Sequence, residues 1–405
     1  MQAQDTAELE TGQEAPVAEG ALVSPKNQIR RVDRTCSSFK ILRGRMVKTT
    51  CLLLLIIGCS KAMNEENYPV TESEVLNNFI RLAPVQYINL DSLSTVHIEL
   101  SEEDLIFNSE NLDMNSLIGW MMYSITTDDA FYVFEKSDKN IIQINFDGQI
   151  TKTVAANGRG PGEVLSVSSM AKNSSNIFVA DRANARINIY NHDFKLEKTL
   201  ASFMVEDISV NEEYIAYNEV TYQGIKTSGM VTIAKLSSPQ DSIAKVMPKI
   251  IPDGMQPMVF NSVSFDMNNK NEIAASSDHL PWISLFDSNF LIERTLIFES
   301  SDFDNRNLVE LKIHPADPNN KAGVGGAFIM DNFKYLDDGS LIINDNDGII
   351  YLRRNKDRSY EAVAKYVVDY PRSEKSFWVG SLDVSDLENI KASNWYYLFQ
   401  FKLPE

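Results

Sequence analysis

Apolar and polar residues alternate at every second position in several short stretches of the chain. Val96, Ile98 and Leu100 are separated by His97 and Glu99; Ile142, Ile144 and Phe146 by Gln143 and Asn145; Ile187 and Ile189 by Asn188. A period of two puts one set of side chains on one face of an extended backbone, so these stretches predict β-strands with one face turned to a core. Turn chemistry falls between strands at Asp147-Gly148, Asp337-Asp338-Gly339 and Asp347-Gly348. In such pairs Asp bonds to the backbone just ahead and Gly takes the positive φ that closes a tight turn. No long stretch with helical period follows residue 85, and the predicted class is all-β.

The strands recur. A 24-residue pattern starts at Phe131 (FYVFEKSDKNIIQINFDGQITKTV), at Ile177 (IFVADRANARINIYNHDFKLEKTL) and at Ile273 (IAASSDHLPWISLFDSNFLIERTL). Each copy has two apolar strands around a polar tip, then a turn and a third segment whose threonine (Thr153, Thr199, Thr295) keeps its offset. Self-similarity at such a period is the mark of a repeat architecture, each unit being a small meander that buries its faces against its neighbours. Three less regular copies complete the count: Tyr214 to Tyr217 with Gly229 to Lys235, Leu341 to Ile343 with Ile349 to Leu352, and Tyr396 to Leu403. The expectation is a six-bladed β-propeller over residues 85–405, with seven blades or an open β-solenoid as alternatives. A radial array must close, and an N-terminal strand, Thr95 to Leu100, is expected to join the last blade and remove its free edge.

The first 84 residues have a different character. Residues 1–45 are polar, with no apolar periodicity, and are expected to be a non-native or disordered extension ahead of a start at Met46. Residues 46–58 carry Lys48, the apolar run Cys51 to Ile57, and the small Gly58 before Cys59. A charged segment, an apolar run too short to span a bilayer and a small residue before cysteine are the order of a lipoprotein signal. Cys59 is the expected lipidation site, two or three acyl chains giving the stable anchor that one would not. Residues 59–84 would serve as a tether.

Cleavage before Cys59 would remove Cys36 and Cys51 along with the leader, so the exported domain would hold no disulfide and would rest on its core alone. It would carry 50 acidic and 30 basic side chains, a net charge of −20, against −18 for the whole chain. That charge argues against nucleic acid as a partner. The membrane, through the anchor, and a protein in the envelope are the expected partners, with a glycan or peptide as a further possibility.

The link Asn157-Gly158-Arg159-Gly160-Pro161-Gly162-Glu163, followed by Asn176-Ile177-Phe178-Val179-Ala180-Asp181, resembles the NHL-type propellers. With Ser116-Leu117-Ile118-Gly119 and the lipobox, the chain is more closely similar to the Bacteroidetes-type six-bladed β-propeller lipoproteins. The resemblance covers residues 112–200 specifically and the rest by blade spacing. It implies a lipid-anchored protein of the cell envelope, at the outer membrane, of unassigned biochemistry, often in settings of nutrient or glycan uptake. Two departures stand out: the third regular repeat lacks the aspartate that ends the first strand of the second, and the link Ser300 to Asp331 is longer than a plain blade connection.

In an antiparallel four-stranded blade, the loop between strands two and three emerges on the same side as the link to the next blade. On that geometry Glu135, Asp181 with Arg182, His279 and Asp345 share one face with Arg159. Loops on a rigid scaffold commonly carry recognition, so these six and Trp282, beside a predicted loop tip and able to stack on a sugar, are the candidate partner-binding residues. The simpler role for Asp181 and its counterparts is to cap turns and pin blade to blade.

No catalytic set stands out. The Gly-rich link has no lysine followed by Ser/Thr and leads into a strand, so it is read as a turn and not as a phosphate loop. His97, His192, His279 and His314 are scattered, and an EF-hand frame over Asp345 to Gly348 would start at Ile343 and end at Arg354, so neither metal nor cofactor is expected. There is no G-x-S-x-G elbow, and the carboxylates are too many to nominate an acid/base pair. The leading expectation is a non-enzymatic envelope binding protein. The alternative is a propeller hydrolase or lyase acting on a saccharide, which convergence of acidic or histidine side chains on the central channel would favour.

Overall fold

The computed structural model describes residues 82–108, 120–201, 205–219, 231–247, 263–277, 281–301, 332–345, 348–370, 379–394 and 396–404. All belong to one compact unit, Tyr68–Glu405. The expected leader, Cys59, most of the tether and His279 lie outside the described residues.

The chain folds into six sheets, one per blade, each built on four antiparallel strands. Blade one holds β4 (Met121–Thr126), β5 (Ala130–Glu135), β6 (Asn140–Asn145) and β7 (Ile150–Ala155). Blade two holds β8 (Val167–Lys172), β9 (Asn176–Asp181), β10 (Arg186–Asn191) and β11 (Leu196–Ala201). Blade three is β12 (Val205–Val210), β13 (Tyr214–Glu219), β14 (Val231–Lys235) and β15 (Ser238–Val246). Blade four is β16 (Val263–Met267), β17 (Ile273–Ser277), β18 (Trp282–Phe286) and β19 (Ile292–Glu299). Blade five is β20 (Asn332–Tyr335), β21 (Leu341–Asp345), β22 (Gly348–Arg354) and β23 (Tyr360–Asp369). Blade six takes β24 (Ser381–Asp386), β25 (Asn389–Ser393) and β26 (Tyr397–Phe401) from the C-terminal end of the chain, and its outermost strand, β3 (Leu105–Asn108), from ahead of blade one. The first strand of every blade contacts the first strands of both neighbours, so the ring is closed.

Burial explains why the second and third strands read as apolar runs. Every residue of β5 and of β18 is buried, because these strands pack on both sides against adjacent blades. The outermost strand β7 has exposed residues over most of its length. The core is accordingly divided into six clusters, one per blade interface. Tyr132 and Val179, for example, meet between blades one and two, and Phe265 and Trp282 pack against Ile233 between blades three and four. At the closing interface Phe107 of β3 and Leu398 of β26 pack with Met121 and Phe131 of blade one.

Closure by an N-terminal strand is as expected, but the strand differs. Thr95 to Leu100 was expected to complete the last blade; instead β2 (Thr95–Glu99) adds in parallel to the outer edge of blade five, Thr95 opposite Lys365. The strand that completes blade six is β3, with Leu398 opposite Phe107. The reason lies in the side chains. Exposed and half-buried residues alternate along β2, which suits an outer edge, whereas Phe107 must be buried at the seam. The strand before it, β1 (Val85–Asn89), adds in parallel to β19 of blade four. Residues 85–108 therefore run as a belt over blades four, five and six in turn. Gly148 marks where the belt meets blade one: at φ +75°, a Cβ on it would lie 2.1 Å from the Ile106 carbonyl oxygen.

Candidate functional site

The first strands face the ring axis and enclose a cavity of about 890 Å³, which runs from Arg182 and Glu206 on the link face to Asn269 and Asp337 on the opposite face. Three aspartates converge on it, each tying neighbouring blades together. Ser169 Oγ of β8 donates to Asp207 Oδ1 of β12 at 2.6 Å, and Ser209 Oγ of β12 donates to Asp266 Oδ1 of β16 at 2.8 Å. The Tyr335 backbone N–H of β20 donates to Asp266 Oδ2 at 2.9 Å. Asp383 Oδ2 of β24 accepts from the Thr126 backbone N–H and from Lys172 Nζ, both at 2.9 Å. Lys172 thus reaches from blade two across blade one to blade six.

The fifth member, Lys334 of β20, is held differently. Its ammonium stands 3.8 Å from Asp266 Oδ1, outside hydrogen-bond range. Asp266 above all, with Asp383 and Asp207, raises its pKa against the opposing effect of burial, so it stays charged. At the link-face mouth, Arg182 pairs with Glu206 at 3.4 Å, and burial still raises the Glu206 carboxyl above its usual range.

Burial pushes the Asp207 carboxyl up to about 6, against the lowering effects of the Ser169 hydroxyl, the Ile208 N–H and Lys334. The folded protein then keeps a proton that the unfolded chain has released, so this group's contribution to stability is present at low pH and is lost as pH rises from about 4 to about 6. Asp207→Asn keeps an acceptor for Ser169 and removes the buried charge. It is expected to raise stability at about pH 7.5 by roughly 1–2 kcal/mol, discounted for the open channel, and by clearly less at about pH 4.5. Urea unfolding at the two pH values checks this; an equal gain at both would assign the effect to something other than ionisation.

The residues proposed from sequence are distributed unevenly around this site. Arg182 stands at the channel mouth, about half exposed. Arg159 is exposed at the tip of the Gly-rich link and its side chain has no partner among the described residues. Glu135 is buried and accepts from the Ser137 and Asp138 backbone N–H groups at 2.6 and 2.7 Å, capping its own turn. Asp345 is buried, 3.3 Å from Lys365 Nζ. Trp282 is 1% exposed inside the core between blades three and four, so it offers no stacking surface. Asp181 has no exposed surface. It accepts from the backbone N–H groups of Leu165 and Ser166 at 3.2 and 3.1 Å and from Asn184 Nδ2 at 2.6 Å, holding the incoming link onto blade two.

That link is built around a carboxylate of its own. Glu163 Oε2 accepts from the Gly160 N–H at 2.6 Å, and a Cβ on Gly158 would lie 2.0 Å from it. Gly162 takes the positive φ expected of a turn glycine, +75°, while Gly158 leaves room for the Glu163 carboxylate. Arg186, which sequence reasoning passed over, donates to the carbonyls of Arg159, Gly160 and Glu163 at 3.3, 3.0 and 2.6 Å and clamps the loop from below.

Six blades around a charged axial channel define a six-bladed β-propeller. Residues 122–322 match a family model described as 6-bladed beta-propeller, DUF5128. This match supports the Bacteroidetes-type propeller family that the resemblance in the first two repeats implies. No curated protein matches the chain. Among solved structures it is similar to an exported protein of Bacteroides fragilis, at 12% identity over 79% of this chain and 100% of that one with a TM-score of 0.46. A Bacteroides thetaiotaomicron protein of unknown function has 11% identity over 73% of this chain and 74% of that one, TM-score 0.47. A gluconolactonase of Xanthomonas campestris has 9% identity over 74% and 89%, TM-score 0.43.

Proposed function

We propose that the chain is an exported binding protein, anchored to the envelope through Cys59, which meets a protein partner on the link face of its propeller. The observation that carries the reading is Arg159: a cation presented at the tip of a clamped loop, beside the turn that bears Arg182, with no side-chain partner among the described residues. On a domain of strong net negative charge, Arg159 on the link, with Arg182 at the nearby channel mouth, forms a local basic spot suited to an acidic or carbonyl-rich segment. The longest links between blades, from β15 to β16 and from β19 to β20, also begin and end on this face.

The test is crosslinking and capture from native envelope with wild type and the Arg159→Ala/Arg182→Ala double variant, with mass spectrometry of the mature N-terminal peptide. The expected result is an acylated Cys59 at the N-terminus and a stoichiometric partner whose recovery falls at least roughly tenfold in the variant. Undiminished recovery would move the site off this face, and an uncleaved leader would remove the anchor.

A second reading, a hydrolase or lyase acting on a saccharide, is favoured by one observation: Asp207, Asp266 and Asp383 meet in the channel, and Asp207 is poised near 6, in the range useful to a general acid or base.

A further inference from the structure

We propose that the axial channel is a binding site for a neutral, hydroxyl-rich small molecule of monosaccharide or disaccharide size, held by the Lys334 ammonium and the open oxygens of Asp207 and Asp383. The inference is separate from the partner reading, since it concerns the channel interior, and it supplies the binding groups that the second reading would need.

Hydrogen-bonding capacity left unused by the protein carries the argument. Lys334 makes no hydrogen bond among the described residues, although it sits at the heart of the channel with 35% of its side chain exposed to the cavity. All three of its donors are therefore available. Among the described residues Asp207 uses only Oδ1, for Ser169 Oγ and the Ile208 N–H, which leaves Oδ2 open to them. Among the same residues Asp383 uses only Oδ2, for Thr126 and Lys172, which leaves Oδ1 open to them. A structural ion cluster that served only to hold blades together would be expected to satisfy its own donors and acceptors, as Asp266 does with both oxygens.

Charge selects the ligand. Six carboxylates (Glu206, Asp207, Asp266, Asp337, Asp338 and Asp383) and three cations (Arg182, Lys172, Lys334) line the channel, so an anion that reaches Lys334 must approach the carboxylates around it. A neutral hydroxyl avoids that repulsion. It accepts from the ammonium and donates to a carboxylate at once, and a vicinal pair does so twice. The volume lies within the usual range of small-molecule sites. Phe265, Phe333 and Tyr335 of the lining are buried, which leaves half-buried Tyr123 as the one aromatic edge among the described lining residues, so discrimination would rest mainly on hydrogen bonds.

The experiment is isothermal titration calorimetry of the full chain with glucose, galactose, mannose, xylose and N-acetylglucosamine, and with alanine and glucuronate as zwitterionic and anionic probes. At least one neutral sugar is expected to bind with one-to-one stoichiometry. Asp207→Asn should weaken it roughly tenfold or more, and Lys334→Met should abolish it. Lys195→Ala, an exposed position outside the cavity lining, should leave it unchanged. On the native protein, the bound sugar should protect Lys334 from acetylation as read by peptide mass spectrometry, which keeps the test decisive if Lys334→Met fails to fold. Binding of none of the neutral sugars, binding of alanine or glucuronate in their place, or a bound sugar that neither responds to Asp207→Asn nor protects Lys334 would overturn the proposal.

Discussion

A chain that begins at residue 101 is expected to fold as a monomer of reduced stability, whereas one that begins at residue 110 is expected to lose the cooperative fold. The first truncation removes β1 and β2, which cover the outer edges of blades four and five and bury Ile88 and Leu100. Blades four and five each keep their own four strands. The second removes β3 as well, leaving blade six with three strands and an open edge on β26, and uncovering Leu398 at the seam with blade one. A propeller that cannot close presents a strand template for another chain, so aggregation should accompany the loss. The point variant Phe107→Ala isolates the seam: its ring is 4% exposed, and its removal should cost about 3–5 kcal/mol. Size-exclusion chromatography and chemical unfolding of the three proteins check the order. If the shorter chain stays a monomer with an unchanged unfolding midpoint, the seam is not what holds the ring.

The same strand shows what the sequence could and could not tell. Blade number was legible because the second and third strands are packed on both sides, which forces apolar runs at fixed spacing, as in Phe131 to Phe134 and Ile342 to Ile343. Choosing between Thr95–Glu99 and Leu105–Asn108 as the closing strand was not legible. Both are short and extended, and only the depth of Phe107 at the seam separates them. The channel was missed for a related reason. First strands such as Val205–Val210 (VEDISV) and Ser381–Asp386 (SLDVSD) present one side to a polar axis, so they mix charged and apolar residues and give a weak strand signal. A usable sign was present: Asp207, Lys334 and Asp383 each sit in the stretch just ahead of an apolar repeat, where a four-stranded blade needs an inner strand. Trp282 erred in the other direction, since closeness to a loop tip in sequence does not place a side chain outside the core.

Arg354→Met is expected to lower stability by about 3 kcal/mol near neutral pH, because it strands two carboxylates between blades four and five. The Arg354 guanidinium pairs with Glu272 at 2.9 Å and Glu293 at 3.2 Å, and all three side chains are largely buried. Gly339 is part of the same fit: at φ +86° it leaves space that Arg354 fills, a Cβ there falling 2.3 Å from the guanidinium. Tyr335 adds a hydroxyl bond to Glu272 at 3.4 Å, so the network joins the two blades on the face opposite the links. With the guanidinium gone, Glu293 keeps, among the described residues, only Arg358, at 2.6 Å but 60% exposed, and Glu272 keeps the neutral donors Asn268 Nδ2, at 3.0 Å, and the tyrosine. The loss should therefore be largely reversed by adding Glu272→Gln and Glu293→Gln, which remove the stranded charges. Arg358→Met, which removes a solvent-screened pair, should cost less than about 1 kcal/mol. Equal losses for the two arginines, or no rescue by the two Gln substitutions, as read by chemical unfolding, would mean that the blades are joined by apolar packing alone, with Arg354 contributing no more than any surface cation.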